Sequence, residues 1–272
     1  MTRVLVTGVR GKTGAPLAEA LAARAGIEVL GGSGDPTTVQ MDGVRPVTFS
    51  WDDPAGWPTA LDGVDALYLV RPDREDAPEL VASLLEATSA RVVLLSEQDA
   101  DQLGPDEWAP RVERAVRDSG RAWTILRPSW FMQVFTDPRY YRDVFVDGGE
   151  LAFPSGGQRI AWIDTRDIAA VAEQALLDPA HAGKVHEITG PEALTLARTV
   201  ELLGAGGRPV TYRDVSVDEA VQDEDGFERG LDTLTFERVR AGVFATVTDT
   251  VERVTGQKPR SLQAFVRESR AG

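Results

Sequence analysis

The 272-residue sequence contains no cysteine and only two histidines, His181 and His186. Without thiols there are no disulfides, thiolate nucleophiles or cysteine-ligated metals, and two imidazoles are too few for most zinc sites, so metal-free chemistry is expected. Positive charge is scarce as well: 29 Lys and Arg face 43 Asp and Glu, a formal charge of -14. That balance disfavours nucleic-acid backbones and anionic membrane surfaces, and no local basic patch compensates. Long hydrophobic runs are missing too. The chain enters an apolar strand at once in "MTRVLVTG", without the h-region of a secretion signal, and no later stretch approaches the length of a bilayer span. A soluble, cytoplasmic protein acting on a small molecule is the expectation.

The length suits one large domain, or a domain with a smaller annex, and can bury a sizeable core. Short apolar runs recur at "RVLVTG", "IEVLGG", "PVTFSW", "DALYLV", "RVVLLS" and "AWTILRP". Helical spacing separates most of them, as in residues 13–26 with Leu17 and Leu21 and residues 77–90 with Leu80 and Leu84. Strand–helix alternation requires crossover connections, so the fold class is α/β with a doubly wound parallel sheet. Residues 1–128 are expected to form this unit, and 129–272 a smaller substrate-covering region continuous with it. In that second part "RIAWID", "KVHEIT" and "PVTYRDVS" read as short strands, with helices at "TRDIAAVAEQALLD" and 194–203. No internal repeat or low-complexity tract is visible.

Gly8, Gly11 and Gly14 stand as G-x-x-G-x-x-G directly between the first strand and the first helix. In that position the first glycine permits the tight turn, the second lets backbone approach a pyrophosphate, and the third lets helix and strand pack closely. The helix start adds N–H groups and the positive end of a dipole. Arg10 and Lys12 lie inside the loop, where they would meet a pyrophosphate or 2'-phosphate, or stand as solvated charges.

The stretches "VLVTGVRGKTG", "WDDPAGWPTALDGVDALYLVRPD", "WTILRPSWFMQVF", "IDTRDIAAVAEQALLD", "HEITGPEALT" and "VTDTVERVTGQKPRSLQAFV" resemble, in order and spacing, the NmrA-like atypical short-chain dehydrogenase/reductases, near triphenylmethane reductase and ergot-alkaloid reductase. The resemblance implies a Rossmann domain that binds NADP or NAD and an oxidoreductase of a hydrophobic, conjugated small molecule, of the kind found in secondary metabolism. It implies cofactor contacts from Thr7, Gly8, Arg10, Gly11, Lys12, Thr13, Gly14, Ser50, Val70 and Ser96. NADP is slightly preferred through Arg10 and Lys12. Three departures accompany it. The arginine that members carry at the end of the second strand is replaced by Gly34; Ser50 stands before Trp51 where an aspartate is common; and Arg71 replaces an apolar residue after the fourth strand. The last places Arg71 and Glu97 at the carboxyl ends of adjacent strands, where open α/β sheets bind ligands, either as working groups or as a rim salt bridge.

Ordinary short-chain dehydrogenases use Tyr-x-x-x-Lys, in which the lysine lowers the tyrosine pKa for proton transfer. No tyrosine here is followed by lysine at that spacing. Two chemistries remain open: hydride transfer to an acceptor that needs no strong acid, or cofactor-free isomerase, cyclase or lyase chemistry with Glu97 as base and Arg71 or Tyr140 stabilising negative charge. A non-catalytic dinucleotide sensor is a third possibility. By resemblance, Trp130, Phe131, Met132, Gln133 and Tyr140 form a substrate wall, whose bland alternative is a core stripe that includes Phe135. Asp164 reads as a helix N-cap, with Arg166 and Asp167 tying that helix to the lid.

Overall fold

A computed structural model describes residues 1–271. Its strands are β1 (Thr2–Val6), β2 (Ile27–Ser33), β3 (Val44–Thr48), β4 (Ala66–Val70), β5 (Arg91–Leu95), β6 (Trp123–Pro128), β7 (Gly149–Phe153), β8 (Arg159–Ile160), β9 (Lys184–Ile188), β10 (Leu194–Thr195) and β11 (Val210–Asp214). The helices are α1 (Gly14–Ala22), α2 (Trp57–Ala60), α3 (Ala77–Glu86), α4 (Trp108–Asp118), α5 (Arg142–Asp147), α6 (Thr165–Leu177), α7 (Leu196–Gly204), α8 (Val217–Ala220), α9 (Gly226–Arg240), α10 (Thr250–Thr255) and α11 (Leu262–Ala271). Among the described residues no helix is long and apolar enough to cross a membrane.

The chain divides into two compact units, one of residues 1–127 and 168–187, the other of residues 128–167 and the chain from Ile188 onward. The seven-stranded sheet runs β3-β2-β1-β4-β5-β6-β9. From β3 to β6 each neighbouring pair is parallel. This is the doubly wound α/β arrangement: the chain builds outward from β1 to β3, then returns to start β4 on the other side of β1. Strand order reverses there, and the crevice outside the carboxyl ends of β1 and β4 is the place where such sheets take ligands. The apolar runs form strands because parallel strands are covered on both faces; Val4, Leu5, Val6, Val92, Val93 and Leu94 have no exposed surface.

The structure adds local detail to these expectations. On α3 the buried seam is Val81, Leu84 and Leu85, with Leu80 only half-buried. "KVHEIT", read as a strand of the second region, supplies β9 at the edge of the main sheet. "RIAWID" contributes only Arg159–Ile160 to a strand, followed by a bridge from Ile163 to Phe131.

Tyr68, on the central strand β4, is fully buried, and its hydroxyl makes no well-formed hydrogen bond, although the Thr13 side chain acts on it. Burial drives its pKa upward, with the Thr13 side chain acting in the opposite direction. A buried donor without an acceptor costs about 1–3 kcal/mol. Tyr68→Phe is therefore expected to stabilise the protein by roughly 1 kcal/mol, raising the melting temperature by about 2–4 °C. A loss of stability in thermal unfolding would mean that the phenol has an acceptor in solution.

Candidate functional site

The first unit carries the glycine turn at the β1–β4 crevice. Thr7 fixes its base: the hydroxyl donates to the Tyr68 carbonyl at 3.0 Å and accepts from the Val70 amide at 2.8 Å. Its side chain thereby extends the pairing of β1 with β4 beyond the strand. Gly8 then turns with φ of +63°, a left-handed conformation that L side chains rarely adopt. The Gly11 amide closes the turn on the Gly8 carbonyl at 2.8 Å. A Cβ on Gly14 would lie 2.2 Å from the Gly8 oxygen, so the start of α1 sits directly against the turn. Val70 walls the other side, its side chain 3.4 Å from where a Gly8 Cβ would be.

Gly8, Arg10 and Gly11 at the crest are exposed, Lys12 is half-buried, and Thr13 and Gly14 are buried. Thr13 occupies the N-cap of α1 without capping it through its side chain. An exposed glycine crest set against a helix start suits a diphosphate, which needs close backbone approach and amide donors. The residues present therefore fit a dinucleotide at this end.

At the end of β2, Gly34 and Asp35 form a pinned turn. Ser33 Oγ donates to the Asp35 carbonyl at 2.9 Å, and Thr38 Oγ1 to the same oxygen at 2.6 Å. The Asp35 carboxylate accepts from the Thr37 amide at 3.0 Å and its hydroxyl at 2.6 Å. These bonds, together with the charge of Arg10, hold the Asp35 carboxyl below its ordinary pKa. Ser50 serves its own turn: Oγ accepts from the Asp52 amide at 3.1 Å, and its carbonyl accepts from Trp57 Nε1 at 2.8 Å. Asp52 pairs with Arg74 at 2.6 Å.

Arg71 follows β4 and is held three ways. It donates to the Leu95 carbonyl at 3.2 Å and to Glu97 at 2.9 Å, and its guanidinium lies 4.2 Å from the centre of the Trp108 ring. Its Nε is buried without a partner. The guanidinium is thus held from three sides, with its buried Nε–H left over.

Ser96, beside Glu97, is turned inward and donates to Glu113 at 2.7 Å. This opens a buried ionic network that the sequence reading missed. Arg127 Nε and Nη2 grip the two oxygens of Glu113, each at 2.8 Å, and Nη1 reaches Asp101 at 2.7 Å and Glu187 at 3.1 Å. Glu113 and Arg127 are almost fully buried. Burial pushes the Glu187 carboxyl up to about 7, against the pull of Arg127. Ligand oxygens of Asp99, Asp101 and Glu187 come within 4.8 Å of one another, but Arg127 already bonds two of these groups and supplies the countercharge. The missed signal was a glutamate on the apolar face of α4, beside Val112 and Val116, and an arginine inside the apolar run of β6.

The second unit holds the aromatic segment. Trp130 is half-buried and meets Phe153, Trp162, Phe236 and Phe244 at centroid distances of 5.3, 6.0, 5.9 and 6.1 Å. Phe131 is half-buried, Met132 and Phe135 lie in the core, and Tyr140 is 55% exposed. Gln133 is structural in its contacts: Nε2 donates to Asp164 at 3.0 Å and Oε1 accepts from the Thr165 amide at 3.0 Å. Asp164 caps α6 by accepting from the Arg166 amide at 2.9 Å. Burial pushes its carboxyl up, but the bonds from Arg166 outweigh that and leave it lowered. Arg166 also pairs with Glu268 at 2.8 Å, and Asp167 with Arg260, so α6 is tied to the C-terminal segment.

Comparison with known proteins fits this architecture. The NAD(P)H azoreductase of Xenophilus azovorans is 33% identical over 238 residues, 83% of this chain and 82% of the relative. The (4-alkanoyl-5-oxo-2,5-dihydrofuran-3-yl)methyl phosphate reductase of Streptomyces griseus is 32% identical over 97% of both chains. The NADP(H) complex of Citrobacter sp. triphenylmethane reductase superposes with a TM-score of 0.82 over 98% of this chain and 99% of that one, at 16% identity, a likeness of fold. The model of the NmrA-like family matches residues 1–266. With its glycine turn, its sheet order and these relatives, the chain belongs to the NmrA-like family.

Proposed function

We propose that this chain is a nicotinamide-dinucleotide-dependent reductase of a flat, conjugated small molecule. The observation that carries the reading is the glycine turn: an exposed crest at Gly8 and Gly11, set directly against the start of α1 by the close approach of Gly14 to Gly8. Backbone amides of the loop between Gly8 and Gly14, other than that of Gly11, which bonds Gly8, would hold the diphosphate. The relatives named as azoreductase and agroclavine dehydrogenase support reduction as the reaction class.

The dinucleotide, when bound, supplies hydride. The chain's own contribution is orientation and exclusion of water, which alone accounts for several kcal/mol of a barrier. With Tyr-x-x-x-Lys absent, the acceptor must be electron-poor enough to take hydride without a strong general acid: an azo, quinone or iminium group. Proton-transfer chemistry without a dinucleotide, with Glu97 as base, has less support, because Glu97 is paired with Arg71.

NADH or NADPH is expected to raise the melting temperature by several degrees at saturating concentration, through binding to the folded state alone. The purified protein is also expected to oxidise the bound dinucleotide in the presence of a member of an azo, quinone and iminium panel, followed at the absorbance of the reduced nicotinamide. No binding of any nicotinamide dinucleotide would overturn the reading. Tight binding with no turnover across the panel would make the protein a sensor instead.

A further inference from the structure

We propose that the chain takes NADH in preference to NADPH, with Gly34 and Asp35 as the residues that decide it. The inference rests on the dinucleotide reading above and concerns the adenosine end of the same site.

In doubly wound folds the carboxyl end of β2 meets the adenosine ribose, where an acid about 20 residues past the glycine turn accepts from the 2'-hydroxyl, or a cation receives the 2'-phosphate. Asp35 lies two residues beyond β2 and 21 positions after Gly14. Its backbone carbonyl is fixed by Ser33 and Thr38, and its carboxylate by Thr37. The bonds from Thr37 also keep that carboxylate ionised. A fixed anion with lone pairs remaining is a good acceptor for ribose hydroxyls and a poor neighbour for a phosphate dianion.

Gly34, at the position next to it, supplies no countercharge. Its φ is not in the left-handed region, and a Cβ there would meet nothing within 4 Å, so the place is empty for want of a side chain. The glycine loop offers two cations. Arg10 is exposed on the crest, and its charge also acts on the Asp35 carboxylate. Lys12 is half-buried and has interactions of its own. Neither replaces a cation at the end of β2.

The test is calorimetric titration of the full chain with NADH and NADPH, for the native sequence, Gly34→Arg and Asp35→Asn. The native protein is expected to bind NADH at least about ten-fold more tightly. Gly34→Arg should tighten NADPH by about ten-fold or more relative to NADH, with little effect on the melting temperature, since a Cβ there meets nothing within 4 Å. Asp35→Asn retains an amide oxygen for Thr37 and should narrow the NADH preference by removing the charge. Equal or tighter binding of NADPH by the native protein would overturn the specificity while leaving the reductase reading intact. Failure to bind either dinucleotide would remove both.

Discussion

Replacing Arg127 with alanine is expected to destabilise the protein by about 3–5 kcal/mol, enough to lower expression or prevent folding at physiological temperature. The side chain is 4% exposed and Glu113, its bidentate partner, 1%. Removing the guanidinium leaves a buried carboxylate facing Ser96 and only the peripheral Arg117, which reaches Glu113 at 2.9 Å with 37% of its own side chain exposed. A charge stranded in this way loses its hydration without compensation, which is why breaking a buried pair is far more damaging than deleting a surface one. Arg117→Ala provides the comparison: it touches the same glutamate, yet should lose under about 1 kcal/mol because Arg127 stays in place. Urea unfolding of both variants decides the matter, and near-equal losses would show that the network carries no special weight. A double variant, Arg127→Met with Glu113→Met, should recover part of the loss, since it removes the stranded Glu113 charge while Glu187 and the Ser96 hydroxyl still lose their partners.

The network also shows where the sequence was readable and where it was not. The strands β1, β4 and β5 are legible because a parallel sheet covered on both faces demands unbroken apolar runs, and "VLV", "LYLV" and "VVLL" meet that demand. The glycine turn was legible because its three glycines answer separate steric demands. By contrast β9 is legible only as a short strand: "KVHEI" mixes charged and apolar residues in the manner of the edge strand it forms, and nothing local says which sheet it joins. Helix α9 went unread because its 15 residues bury only Phe236, Arg238 and Val239, too few for a periodic signal. Pairings between distant residues are the hardest. Arg71 with Glu97 was open to a correct guess because both follow adjacent strands, whereas Glu113 with Arg127 required noticing charges on faces that should be apolar.

Gly14→Ala is expected to weaken dinucleotide binding by at least about 100-fold and to destabilise the fold by about 1–3 kcal/mol. The reason is geometric. The new methyl would lie 2.2 Å from the Gly8 carbonyl oxygen, 2.9 Å from its carbon and 3.1 Å from the Val9 Cα, all backbone atoms that no rotamer change can move aside. Relief requires α1 to back away from the turn, and that motion withdraws the helix start from any diphosphate held at the crest. Gly11→Ala presents a milder version, with one backbone oxygen at 3.0 Å, and Gly34→Ala none, with nothing within 4 Å. The three alanine variants should therefore fall in the order Gly34, Gly11, Gly14 in loss of both melting temperature and dinucleotide affinity. Stability and affinity need not move together, and the difference is informative. If Gly14→Ala loses stability yet binds NADH like the native protein, the turn is only a packing device and the diphosphate, if bound at all, lies elsewhere. If affinity falls while a Gly34→Ala control is unchanged in both, the loss belongs to the turn itself and the amides at the start of α1 hold the cofactor.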